Sequence, residues 1–175
     1  YGYYGAHFDV GNWYPTPVVY DRAGWHLNQH LDNEFYQEWG DFRVDIRVPK
    51  GFIVGATGTL LNPEETLSDT SAAVKKWYRE SPDDTTTTVW KFRAERVHDF
   101  AWTADPDYVL FQSEWNGITF NVLAMDYNAK EWEQVTEFGV EALKFLSETF
   151  GDYPWEQVTI ADTYIRAGGI EYPMI

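Results

Sequence analysis

The spacing of apolar residues changes at Asn128. Upstream, Phe42, Val44, Ile46 and Val48 alternate with Arg43, Asp45 and Arg47. A period of two with one apolar face belongs to a half-buried strand, because successive side chains point to opposite sides of a sheet. Downstream, Trp132, Val135, Phe138, Ala142, Leu146 and Phe150 recur at steps of three and four. That is a single stripe along an amphipathic helix. The pattern predicts β structure to residue 127, then one main helix over 130–149.

Other segments fit this division. Residues 89–96 alternate, with Trp90, Phe92 and Ala94 on one face. Asn116-Gly117 separates two eight-residue strand-like runs, and both residues tolerate positive φ, so a tight hairpin is expected there. Pro49-Lys50-Gly51 reads as a turn before a strand that begins at Phe52-Ile53-Val54. Residues 1–20 are rich in Gly, Pro and aromatics and lack a period, which suggests irregular chain pinned by aromatic packing. Residues 62–88 read as a loop or insertion with a short strand near Trp77. Asn128 and Glu131 have capping-box spacing, Gly151 provides a helix stop, and residues 158–165 read as a strand. No internal repeat is present.

A hydrophobic content of 44% supports a packed core rather than disorder. No apolar run approaches the ~20 residues of a membrane-spanning helix. The net charge of −15 repels phosphate backbones, so nucleic acid is not an expected partner. Cysteine is absent, which excludes disulfides, thiolate metal sites and a Cys nucleophile. The first residues, Tyr1-Gly2-Tyr3-Tyr4-Gly5, have neither an initiator Met nor a basic stretch. They are not expected to form a signal peptide, and the chain is expected to be an internal piece of a longer one.

Several constellations invite chemistry. His26, His30 and Glu34 are four apart and would share a face on a helix. Gly24 and Asp32-Asn33 argue against a helix there, so ordinary polar packing is expected. His98-Asp99 are neighbours after a strand, and neighbours on a strand point apart, which argues against a dyad. The nine tryptophans fit either a core or a carbohydrate-binding platform. Gly168-Gly169-Ile170-Glu171-Tyr172-Pro173 differs from these. Two glycines cost strand stability and leave bare backbone, and a carboxylate follows one residue later. Glu171 reads either as a surface carboxylate on an edge strand or as a fixed anion lining a cleft.

Gly168-Gly169-Ile170-Glu171-Tyr172 resembles the Gly-x-Met-Glu-Asn exopeptidase motif of M1 family zinc aminopeptidases. It is closer to the Gly-Gly-Met-Glu-Tyr-Pro form of bacterial M1-like metallopeptidases. An ordered set upstream resembles the same group: Trp13-Tyr14-Pro15, Tyr20-Asp21, Gly24-Trp25-His26, Glu34-Phe35-Tyr36 and Trp39-Gly40-Asp41-Phe42. Ala56-Thr57-Gly58, Val97-His98-Asp99-Phe100-Ala101-Trp102 and Phe150-Gly151-Asp152-Tyr153-Pro154 continue it. The set covers nearly the whole chain and is more specific than the glycine motif alone. Ile170 stands where Met is usual, and Tyr172 where Asn is usual.

The resemblance implies a mainly β chain. Residues 1–127 would be the second part of a sandwich- or saddle-like N-terminal β domain. Residues 128–175 would open a thermolysin-like α+β catalytic domain. It implies zinc in the intact enzyme, held by a His-Glu-x-x-His motif that follows the glycine motif, so no catalytic residue, metal ligand or bound zinc is expected within this chain. Substrate binding would fall to Gly168, Gly169, Ile170, Glu171 and Tyr172. The implied partners are peptide substrates and the remainder of the catalytic domain; no localisation follows from the sequence. A desolvated Glu171 would pair with a free α-ammonium, and the glycine backbone with substrate main chain. The rival expectation is a non-catalytic, aromatic-rich β-sandwich module used for binding.

Overall fold

The computed structural model describes residues 2–27, 29, 35–70, 85–165 and 168–175. The strand expected near Trp77, together with His30 and Glu34, lies outside them. The described chain is mainly β, in several sheets. β1 (Gly2–Tyr4) and β2 (His7–Val10) form an antiparallel pair. β2 continues onto β9 (Trp102–Asp105), and β9 onto β6 (Ile53–Ala56). β3 (Tyr20–Asp21) and β4 (Gly24–Trp25) make a short ribbon. A second sheet has the order β5 (Gly40–Pro49), β8 (Thr87–Val97), β7 (Thr59–Leu60). A third joins β10 (Tyr108–Trp115), β11 (Ile118–Met125) and β12 (Gln157–Ala161).

The period-two reading holds along β5, where Ile46 and Val48 are buried and Arg43, Asp45 and Arg47 are exposed. β8 alternates likewise until Glu95 and Arg96, which are both exposed. The register shifts opposite Asp41, Arg96 adopts φ +54°, and its N–H donates to Asp41 Oδ1 at 2.9 Å. This bulge takes up one extra residue and returns Val97 to the core. Asn116 and Gly117 have φ of 51° and 77°, and Trp115 pairs with Ile118, as the expected hairpin requires.

Four features differ from expectation. The helix is divided into α2 (Ala129–Trp132) and α3 (Val135–Phe150), after a short α1 (Pro63–Thr66) earlier in the chain. Thr136 Oγ1 donates to the Glu133 carbonyl at 2.7 Å and Gln134 Nε2 to the Glu131 carbonyl at 3.1 Å. These side chains take carbonyls that a continuous helix would use. The capping box does not form: the Asn128 side chain caps no helix N–H, and its Nδ2 donates to Asp162 Oδ2 at 2.8 Å. The last strand ends at Ala161, where Asp162 turns its carboxylate toward Asn128 and the Met125 N–H.

The helix stripe is the fourth. α3 packs on β10 and β11 with Leu143 and Ser147 buried, while Phe138, Phe145, Leu146 and Phe150 are exposed. Gly139 explains this rotation. A Cβ there would come within 1.8 Å of the Phe120 ring, so the bare glycine lets the helix lie against β11. β12 then runs parallel to β11, from Thr119–Gln157 to Leu123–Ala161. The change of class at residue 127 thus falls inside one three-stranded sheet. Ile46, Trp90, Ile53, Ala104, Leu123 and Met174 draw the sheets and the chain's last residues into a common core.

Candidate functional site

Residues 168–171 form no strand and are exposed, which corrects the expectation of a glycine edge strand. The Cα register with β11 ends at Ala161, one further backbone bond runs from the Asp162 N–H to the Leu123 carbonyl at 2.8 Å, and residues 168–171 add no strand pairing. Gly168 adopts φ +84°, a conformation that disfavours side chains. At Gly169, which is exposed, an added Cβ would meet among the described residues only Glu171 Oε1, at 3.3 Å, so the carboxylate folds back beside it. Ile170 is half exposed. Among the described residues Glu171 has no ion-pair partner.

The residues that follow are docked. The Tyr172 and Ile175 backbones exchange hydrogen bonds of 2.9 and 3.2 Å, and the Met174 carbonyl accepts from the Thr159 N–H at 2.8 Å. Pro173 and Met174 are buried, and Met174 joins the core. Tyr172 reaches back to the start of the chain. Its ring lies over Gly11, where a Cβ would stand 2.3 Å from the hydroxyl. Asn12 Nδ2 donates to that hydroxyl at 2.7 Å. Gln37 Nε2 donates to Asn12 Oδ1 at 3.2 Å and to Asp99 Oδ2 at 2.9 Å. Asp99 is buried and also accepts from the Tyr14 hydroxyl at 2.8 Å and the Phe100 N–H at 2.7 Å. Burial and the Asp99 carboxylate together hold the Tyr14 phenol protonated well above the usual range.

A second cluster grips the other flank of the glycine segment. His7 is 2% exposed, with Nδ1 at 3.0 Å from Asp105 Oδ2 and Nε2 at 2.9 Å from Asp9 Oδ2. Burial opposes its charge, but the hydrogen bonds to Asp105 and Asp9 outweigh that and raise its pKa to about 9. The imidazolium meets the Tyr164 ring edge-on at 5.0 Å and the Tyr108 ring at 5.7 Å. Tyr4 also packs on Tyr164, at 4.9 Å between ring centroids. His7 and Asp9 lie two apart on a strand, so their shared face was readable from period two. Asp105 comes from β9, and only the pairing of β2 with β9 brings it there.

The remaining constellations stay apart. His98 is exposed and meets Trp39 edge-on, whereas Asp99 turns inward, so they form no dyad. His26 lies 2.9 Å from Asp21. Among the described residues no group of three His, Asp or Glu side chains could hold a metal ion. A cleft of about 410 Å³ is lined by β6 of the first sheet and by strands of the second and third, and none of residues 168–172 lines it. Trp90 is fully buried, but Trp13, Trp25 and Trp39 are exposed, so the tryptophans divide between core and surface. No helix among the described residues is long and apolar enough to cross a membrane. No protein-family model matches the chain, and no curated protein matches it significantly.

Proposed function

We propose that this chain is part of an M1-like zinc aminopeptidase and that Glu171 holds the free amino terminus of a peptide substrate. The observation that carries this reading is the contrast between residues 168–171, which are exposed, and Pro173-Met174, which are buried. A carboxylate with no ion-pair partner among the described residues, beside exposed glycines and hung from a docked anchor, suits recognition of an α-ammonium and its adjoining peptide group. The charge-assisted hydrogen bond gives selectivity for a free terminus. The ordered motifs that resemble the family support the same reading.

Under it, the chain joins the end of a sandwich- or saddle-like N-terminal domain to the opening of a thermolysin-like domain, and because β12 pairs with β11 the division does not fall at residue 127. The uncovered Phe138, Phe145, Leu146 and Phe150 would face the rest of that domain, since apolar clusters of this kind mark contact surfaces. The described residues supply no zinc site, so no zinc ligand is assigned and no step is routed through the metal. Their role is to bind and orient the substrate terminus. The coding sequence beyond Ile175 tests the assignment: a His-Glu-x-x-His pattern is expected within about 100 residues, and its absence there sinks the family reading.

One observation favours the rival binding module. Tyr20 and Trp25 are both exposed and pack at 4.8 Å on the β3–β4 ribbon. Binding of a neutral oligosaccharide that is lost in Trp25→Ala would support that reading.

A further inference from the structure

The elements at the start of the chain bracket the exposed glycine segment. β2 carries His7, which contacts Tyr164 four positions before Gly168. The loop immediately after β2 carries Gly11 and Asn12, which receive Tyr172, next to Glu171. We infer that Gly11, Asn12 and Gln37 are positioning residues for the Glu171 carboxylate, tying its loop to the buried Asp99. This inference rests on the proposed role of Glu171 in binding a substrate amino terminus.

Three observations converge on it. The contact is shape-specific, because the Tyr172 ring occupies the space that a side chain at residue 11 would need. The connection is continuous, running from the Tyr172 hydroxyl through Asn12 and Gln37 to Asp99 at 2.7, 3.2 and 2.9 Å. Its far end is anchored in the protein interior, since Asp99 is 3% exposed and accepts from Tyr14 and Phe100 as well. Asn12 itself adopts φ +50°, a conformation that Asn tolerates better than most residues. The usual Asn at position 172 of the motif could not span this gap, so Tyr172 and Gly11 form a matched pair. An exposed carboxylate on an untethered loop would sample many positions. Fixing its neighbour limits that sampling, which is how supporting residues sharpen a recognition site.

Two readouts test the inference. In this chain, hydrogen exchange of the Tyr172 and Ile175 amides should accelerate in Asn12→Ala, while the Val122 amide in the core is unchanged. In the zinc-containing enzyme, Asn12→Ala and Tyr172→Phe should each lower kcat/KM on leucine p-nitroanilide by about 3- to 10-fold, the range of one hydrogen bond. The desamino analogue should be affected far less. The double variant should lose no more than Asn12→Ala alone, because that substitution already removes the bond to the Tyr172 hydroxyl. Gly11→Ala should impair wild type but cost little more in a Tyr172→Asn background, where the ring is gone. Tyr172→Phe keeps the ring in place, so it serves if Asn12→Ala fails to fold. If Glu171→Gln selects against the free amine but these variants leave both exchange and substrate ratio unmoved, the positioning role is overturned and the proposed function stands. If Glu171→Gln itself shows no such selectivity, the proposed function falls and the positioning role falls with it.

Discussion

His7 Nδ1 lies 3.0 Å from Asp105 Oδ2, with both side chains buried. Together with Asp9, this pair fastens β2 to β9 and sets Tyr164 in place. A neutral imidazole donates from only one nitrogen, so the two carboxylates are both satisfied only by the imidazolium.

Stability should therefore fall on the alkaline side. The folded-state pKa of His7, about 9, lies above its ordinary value of 6.5, so the folded protein holds this proton more tightly. The contribution is complete below pH 6.5, declines as pH rises from 6.5 to 9, and is gone above. Its ceiling is about 3 kcal/mol, at ~1.36 kcal/mol per pKa unit. Urea midpoints between pH 6 and 10 check this. His7→Phe leaves Asp105 buried without its cation, should cost about 3–5 kcal/mol, and should flatten the slope in that window. A wild-type midpoint independent of pH would contradict the charged assignment.

Gly139→Ala should destabilise the chain although it improves helix propensity. Alanine gains about 1 kcal/mol in a helix interior. The new methyl would overlap the buried Phe120 ring, and overpacking of this kind costs about 1–3 kcal/mol. A net loss near 1 kcal/mol is expected from urea unfolding. A net gain would mean that α3 is not seated on Phe120.

Phe145→Ser and Phe150→Ser should each leave stability within about 0.5 kcal/mol of wild type, as for surface positions. The same variants should lower binding of a hydrophobic dye such as ANS. Losses above about 2 kcal/mol would show that these rings are packed in the isolated chain, against their exposure of 64% and 80%.

The strands were legible wherever one face is buried. Phe42 to Val48 and the two sides of Asn116-Gly117 follow a period that local sequence carries in full. The helix was legible in position but not in orientation. Six apolar residues defined a stripe, yet the buried side is set by Gly139, whose informative property is the absence of a side chain. Its partner, Phe120, is on another element. The end of the helix cap was misread for a similar reason: Asn128 has the residue type of a cap, but Asp162 offers it a tertiary partner. The candidate site divides in the same way. Glu171 and its glycines are contiguous and therefore readable. Asn12, Gln37 and Asp99 are brought to Tyr172 only by the fold, and the 160 positions between Asn12 and Tyr172 leave no local pattern.

The central claim is that Glu171 reads a free amino terminus, and one comparison tests it most directly. In the zinc-containing enzyme, kcat/KM is measured for wild type and Glu171→Gln on matched peptides with free and N-acetylated termini. The substitution keeps size and removes charge. A charge-assisted hydrogen bond is worth about 1.5–3 kcal/mol, so the free-amine substrate should lose roughly 10- to 100-fold. Turnover of the acetylated peptide, which lacks the cation, should change much less. Equal losses on both substrates would contradict the claim and leave Glu171 with a structural or general role.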